Sequence, residues 1–190
     1  MSREPLILAS SSPRRRQLLE MLGIPIVVQP SNIPEEPRPG EAPVDYSVRL
    51  ASEKAAHVPG ALVLGADTIV VLHDEILEKP SDEAHALAIL RKLQGNTHQV
   101  ITSVALKHEG RMRTATDVTD VTFRRVSDDY LRAYIATGEP MDKAGAYGIQ
   151  GFGASLIERV EGDVFGVMGL PIRLVLDLLA EAGVPYAFGR

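Results

Sequence analysis

Short apolar runs alternate with helix-periodic runs along most of the chain, and this alternation limits the fold more than any other feature. Leu6–Ala9 predicts a strand, Pro13–Leu22 a helix closed by Gly23, and Ile24–Gln29 a second strand. Residues 30–43 hold Pro30, Pro34, Pro37, Pro39 and Pro43, which forbid a regular helix. They read either as a linker or as a stiff loop, with Glu35, Glu36 and Glu41 along it. Val44–His57 predicts a helix with Val44, Val48, Ala51 and Ala55 on one face and Lys54 at its border. Ala61–Leu72 is a nearly continuous apolar run, expected to break at Gly65-Ala66-Asp67-Thr68 before a buried strand over Ile69–Val71. A turn at 73–75, a short strand over Ile76–Glu78 and a helix over Asp82–Gln94 capped by Ser81 follow. Thr97–Lys107 and Met112–Arg125 predict a long hairpin around Glu109-Gly110. Ser127 caps a helix over Asp128–Thr137, and residues 138–153 form a glycine-rich loop. Strands are expected over Ala154–Val160 and Val164–Met168, and a last amphipathic helix from Pro171 to near Gly183. Strands that alternate with helices in this way predict an α/β fold.

The length, 190 residues, suits a single domain over residues 1–190, with room for two lobes. There is no cysteine, which excludes disulfides, thiolate metal sites and cysteine catalysis. The opening Met-Ser-Arg-Glu-Pro lacks a signal-peptide pattern, and no apolar run approaches membrane-spanning length, so a cytoplasmic setting without a membrane partner is expected. Net charge is −5, and the only dense basic cluster is Arg14–Arg16. A nucleic-acid partner would call for a broad basic face, so the expected anionic partner is small.

Residues 8–20, Leu-Ala-Ser-Ser-Ser-Pro-Arg-Arg-Arg-Gln-Leu-Leu-Glu, place a hydroxyl-rich turn and three arginines at a helix start. Free backbone N–H groups and the helix dipole make such a start a site for phosphate. A plain helix capped by Ser12, with Pro13 in its first turn, explains the serine and the proline equally well. It does not explain cations at the positive end of a dipole. Asp67 lies within an apolar run, where a carboxylate needs a partner or a metal, or backbone N–H groups at a strand break. Lys54 reads as a boundary lysine or as one that reaches into a cleft, and Lys79 alone reads as a surface lysine. In the loop 138–153, glycine density permits close approach of backbone to a ligand, Glu139, Asp142 and Lys143 supply charge, and the Gln150 amide can pair with a base edge. The five histidines lack zinc-ligand spacing, and no Gly-Lys dipeptide or Gly-x-Ser-x-Gly elbow occurs. The chemistry left is that of arginine, lysine and carboxylate, suited to a polyphosphate with magnesium or manganese.

Seven segments in order, Leu-Ala-Ser-Ser-Ser-Pro-Arg-Arg (8–15), Arg-Leu-Ala-Ser-Glu-Lys-Ala (49–55), Leu-Gly-Ala-Asp-Thr (64–68), Leu-Glu-Lys-Pro (77–80), Gly-Asn-Thr-His-Gln-Val (95–100), Asp-Lys-Ala-Gly-Ala-Tyr-Gly-Ile-Gln-Gly (142–151) and Gly-Leu-Pro (169–171), carry a resemblance. The chain resembles the Maf family of nucleoside triphosphate pyrophosphatases, similar in fold to the inosine-triphosphate pyrophosphatases. The resemblance implies a two-lobed mixed sheet flanked by helices, with a deep central cleft, a divalent metal and frequent homodimers. The 142–151 segment resembles the branch acting on dTTP and UTP rather than the one acting on 7-methyl-GTP. By resemblance, Asp67 is the proton acceptor, and Arg14, Thr68 and Gln150 set substrate preference. Ser10, Arg14, Arg15, Lys54 and Lys79 line the phosphate site, and Glu35 joins Asp67 as a metal ligand. Among enzymes, a pyrophosphatase acting on 7-methyl-GTP or another modified nucleotide is the alternative, and a nucleotide-sensing regulator of cell division is the alternative of a different class.

Overall fold

The computed structural model describes residues 5–188, so the opening residues 1–4, read above for a leader, lie outside it. Its strands are β1 (Leu6–Leu8), β2 (Ile26–Val28), β3 (Leu62–Leu72), β4 (Glu75–Leu77), β5 (Thr97–His108), β6 (Arg111–Phe123) and β7 (Ile157–Glu161). Its α-helices are α1 (Pro13–Met21), α2 (Pro43–His57), α3 (Glu83–Leu93), α4 (Asp128–Ile135), α5 (Val164–Val167) and α6 (Ile172–Glu181). The strands form one open mixed sheet in the order β2-β1-β3-β5-β6-β7, with β4 paired to β3. β1 runs parallel to both β2 and β3, whereas β4 and β7 pair antiparallel with their neighbours. The fold is therefore α/β, as the alternation predicts. No described helix is long and apolar enough to cross a membrane.

The chain divides into two compact units, one of residues 1–67, 102–117 and 169–190, the other of residues 68–101 and 118–168. In the first unit, α1 supplies the crossover that two parallel strands require. Gly23, at φ +69°, closes α1 and donates its N–H to the Glu20 carbonyl at 2.9 Å. The buried face of α2 is Tyr46, Ser47, Leu50, Ala51, Lys54 and Ala55. This corrects the predicted face: Val44 is exposed, and Lys54 belongs to the buried stripe rather than its border. The small residues have a reason. A Cβ on Gly65 of β3 would fall 2.2 Å from the Ala51 carbonyl oxygen and 2.7 Å from the Ala55 nitrogen, so the helix backbone rests directly on the strand. Ala9, Ala51, Ala55, Val58, Val63 and Ala105 fill the core around this contact. Gly65 thus marks a close approach, and the expected strand break at 65–68 is corrected to an unbroken β3.

The second unit packs Val70, Leu72, Leu87, Leu90, Leu93, Val121, Phe123, Leu131 and Leu156 into the larger core. His73 and Asp74 adopt left-handed backbone, at φ 50° and 65°, in the tight turn between β3 and β4. Asp82, not Ser81, caps α3: its Oδ1 accepts from the His85 N–H at 2.7 Å. Ser127 caps α4 as expected, accepting from the Tyr130 N–H at 3.2 Å. The glycine-rich stretch folds into short 3-10 turns over Glu139–Asp142, Ala144–Ala146 and Gly151–Leu156, so β7 begins at Ile157 rather than Ala154. The strand predicted over Val164–Met168 is the short helix α5, because the Asp163 carboxylate accepts from the Phe165 N–H at 2.8 Å and caps a turn there.

One buried polar group sits inside this larger core. His98 Nε2 pairs with the Tyr147 hydroxyl at 2.8 Å, and both rings meet Phe123 edge to face. Burial lowers the His98 pKa from its usual 6.5 to about 4. The unfolded chain then takes up a proton that the folded chain refuses between these values, so stability falls as the pH drops through that window. Going from pH 7.5 to 5, this histidine should remove about 2 kcal/mol of unfolding free energy. Urea titrations at the two pH values should show this fall, and His98→Gln, which keeps a partner for Tyr147, should abolish His98's share of it.

Candidate functional site

Six of the expected site residues belong to the first unit: Ser10, Arg14, Arg15, Glu35, Lys54 and Asp67. Ser10 follows β1 and is buried. Its Oγ accepts from the Ser12 N–H at 3.2 Å and from Arg15 Nη1 at 3.1 Å. The Ser12 hydroxyl makes no cap bond to α1, so the simple capped-helix reading fails at its central contact. Arg15 also donates from Nε to the Gly169 carbonyl at 2.8 Å, which gives the Gly169-Leu170-Pro171 segment a structural part in the site. Removal of the guanidinium from water lowers the Arg15 pKa, the charges of Asp67 and Glu35 oppose this, and Arg14 adds to it. Arg14, Arg15, Glu35 and Asp67 therefore act within one electrostatic neighbourhood. Arg16 turns away and pairs with Glu20 on the exposed side of α1 at 2.7 Å.

The core of this neighbourhood is an ion cluster built on a buried Lys54–Asp67 pair, with the exposed Glu35 at its edge. Asp67, 4% exposed on β3, and Lys54, 6% exposed on α2, meet with Nζ 2.8 Å from Oδ1. The same ammonium lies 2.7 Å from Glu35 Oε1. Glu35 reaches it because the proline-rich loop is tied to α2. The Tyr46 hydroxyl donates to the Glu35 carbonyl at 3.2 Å, and Arg49 donates to the Glu36 carbonyl at 3.0 Å. Arg49 also grips Glu41 with two contacts, of 2.6 and 2.7 Å, and these hydrogen bonds hold the Glu41 carboxyl down at about 2. Tyr46, Arg49 and Glu41 position the loop, yet sequence reasoning passed over them. The available signal was Glu41 just ahead of the helix, with Arg49 and Glu53 four apart on its polar face.

Asp67 Oδ2 is buried without a hydrogen-bond partner. A lone polar atom of this kind costs on the order of 1–3 kcal/mol and calls for a reason. Among the described residues, no three histidine, aspartate or glutamate side chains group closely enough to enclose a cation. Two carboxylates are nevertheless what magnesium takes from a protein when substrate phosphates complete its shell. The donors Asp67 Oδ2 and Glu35 fit a divalent metal of that kind.

Thr68, Lys79 and Gln150 belong to the second unit. Thr68 is half-buried and next to Asp67 along β3, while Lys79 and Gln150 are exposed. The stretch around Lys79 is tied to the glycine-rich loop through the Gly145 N–H, which donates to the Glu78 carbonyl at 3.3 Å. Gly145, at φ +68°, leaves no room for a side chain, since a Cβ would lie 2.8 Å from Val70. Asp142 and Lys143, read above as charge for a ligand, pair with each other at 2.7 Å.

An open mixed sheet carrying buried, paired carboxylate, lysine and arginine defines an α/β protein with a polar site at the end of β1 and on β3. The family model described as Maf-like protein matches residues 5–182, and the chain belongs to that family. A protein of Alcanivorax borkumensis named dTTP/UTP pyrophosphatase is 50% identical over 188 residues, which cover 95% of this chain and 97% of that protein. Proteins of the same name from Anaeromyxobacter dehalogenans and Escherichia coli are 47% and 48% identical. They align over 97% and 93% of this chain, and over 97% and 92% of their own lengths.

Lys54→Met should strand the Asp67 carboxylate in the interior and destabilise the fold by about 3 kcal/mol. The double variant Lys54→Met/Asp67→Asn should recover most of that loss. Urea unfolding of the two single variants and the double variant provides the check, and simple additivity would count against a coupled pair.

Proposed function

We propose that this protein hydrolyses dTTP and UTP to the nucleoside monophosphate and pyrophosphate, and so clears non-standard nucleotides from the pool. The observation that carries the reading is the buried Asp67 carboxylate with one oxygen unpartnered, in a chain similar over nearly its whole length to proteins named for this activity. A water oxygen forms a bond to the α-phosphorus as the bond from that phosphorus to the α–β bridging oxygen breaks. Asp67 accepts the proton lost by the water, and the β- and γ-phosphates leave together. Lys54 holds Asp67 in place and, with Arg14, Arg15 and Lys79, balances charge on the departing pyrophosphate. Ser10 and the first N–H groups of α1 receive phosphate oxygens, which the uncapped start of that helix favours. Thr68 and Gln150, with Arg14, select the base, for which the Gln150 amide offers both a donor and an acceptor.

A magnesium or manganese ion held by Asp67 and Glu35 would supply Lewis-acid activation of water and charge neutralisation. The protein acts as a cytoplasmic enzyme, with homodimer formation as its expected assembly.

Release of pyrophosphate from a nucleotide panel, with magnesium, manganese or neither, tests the reading. Activity should be greatest on dTTP and UTP, and nucleotide binding without pyrophosphate release would overturn it in favour of a sensor. Asp67→Asn should lower turnover by roughly a thousandfold while leaving nucleotide binding intact, and a near wild-type rate would remove Asp67 as the base. Gln150→Ala should raise activity on other bases relative to UTP, so an unchanged base profile would count against its selecting role.

A further inference from the structure

Glu139 has no part in the reaction proposed above, yet its carboxylate accepts three hydrogen bonds within the glycine-rich stretch and from α4. Oε1 accepts from the Tyr134 hydroxyl at 3.0 Å and from the Gly153 N–H at 2.9 Å, and Oε2 accepts from the Phe152 N–H at 2.8 Å. The same Tyr134 hydroxyl receives the Gly148 N–H at 3.4 Å. Its pKa is raised, by burial first and then by the Glu139 charge, so the hydroxyl remains protonated and donates to the carboxylate. The backbone of Glu139 is fixed as well: its N–H donates to Thr137 Oγ1 at 3.2 Å, and its carbonyl accepts from the Lys143 ammonium.

Gln150 lies between the two places where this arrangement grips the chain, Gly148 on one side and Phe152-Gly153 on the other. The fit leaves no slack. A Cβ on Gly151 would lie 2.4 Å from Glu139 Oε2, and one on Gly153 would lie 2.3 Å from the Gly148 carbonyl. These N–H groups belong to no strand ladder, so they need an acceptor from elsewhere. A carboxylate suits the task because both its oxygens only accept. An amide in the same place would turn an N–H toward one of the donors.

We propose that Glu139 is a positioning residue for base recognition: by gathering the N–H groups of Phe152 and Gly153, and that of Gly148 through Tyr134, it fixes the backbone that carries Gln150 and so sets which base ring is accepted. The proposal rests on the base-selecting reading of this loop given above. It goes further in assigning the loop's geometry to one half-buried charge.

The test uses the full chain as Glu139→Gln, Tyr134→Phe and Gln150→Ala. kcat and KM are measured for UTP, dTTP and CTP, and amide hydrogen exchange is followed over 148–153. Glu139→Gln should lower the UTP-to-CTP ratio of kcat/KM about tenfold, the effect of losing one charge-assisted hydrogen bond. The change should fall mainly on KM for UTP, with kcat held within about threefold. Tyr134→Phe should move the ratio the same way by less, and exchange at Phe152 and Gly153 should speed up in Glu139→Gln. A folded Glu139→Gln protein with an unchanged ratio, or with equal losses of kcat on every nucleotide, would overturn the proposal. Unaltered exchange at those two amides would do so without any substrate. Should Glu139→Gln fail to fold, an unchanged ratio in Tyr134→Phe is the overturning result. Gln150→Ala alone judges the earlier reading: an unchanged base profile there would remove Gln150 as the selecting side chain, while Glu139→Gln still reports on the loop.

Discussion

For Lys54 Nζ to lie 2.8 Å from Asp67 and 2.7 Å from Glu35, three separate pieces of chain must be in place. Helix α2 must rest against β3, which the absence of a Cβ on Gly65 permits. Strand β3 must run unbroken through Asp67, so that its carboxylate enters the interior. The proline-rich loop must be drawn back onto α2, which Arg49 and Tyr46 accomplish. An ion pair with both members withdrawn from water contributes little net stability, because desolvation offsets most of the attraction. Its value lies in what it prevents. A single buried charge would be intolerable, so each partner enforces the placement of the other, and the first unit is held to one arrangement of helix, strand and loop.

The second unit orders its irregular segment with one charge in place of three. Glu139 organises a glycine-rich stretch that has neither strand ladder nor long helix to satisfy its N–H groups. Here a carboxylate gives an irregular segment the acceptors that regular structure would supply elsewhere, whereas in the first unit Tyr46 and Arg49 bring donors to the carbonyls of the proline-rich loop. A loop held in this way retains the open backbone of glycine while its N–H groups are tied down. That combination suits a segment that must meet a ligand closely.

The architecture was legible in the sequence because it rests on periodicity and punctuation. Alternating apolar runs gave the sheet and helices, and Gly23, Ser127 and Glu109-Gly110 closed, capped or turned elements where expected. Each failure has its own physical cause. Gly65 read as a break because glycine usually interrupts strands, whereas here it admits a helix backbone. Val164–Met168 read as a strand because its residues are apolar, but a single cap at Asp163 outweighed that propensity over one turn. Lys54 read as a border residue because the buried face of α2 was drawn through Val44, which is exposed, and not through Tyr46 and Leu50. The position of Asp67 inside an apolar run did reveal its burial. Its partner could not be read, since an ion pair between residues 54 and 67 depends on how a helix sits on a strand.

The three arginines at the start of α1 show how local charge can overstate the need for an external anion. In isolation, cations at the positive end of a helix dipole call for an anion. The structure supplies anions from within: Asp67 and Glu35 act on Arg15, and Glu20 takes Arg16. The demand for an external phosphate is therefore weaker than the sequence alone implies. What remains is a balance. Arg14, Arg15 and Lys54 against Glu35 and Asp67 leave a single positive charge, close to neutral before substrate and far from neutral once a polyphosphate enters. Two of the five groups are carboxylates that would repel that polyphosphate, and one of them keeps a buried oxygen with no partner. A binding module would gain by losing both. Their retention beside the cations fits a site that must hold a polyphosphate and also take a proton from water. This is the physical reason for reading the cluster as catalytic rather than merely anion-binding.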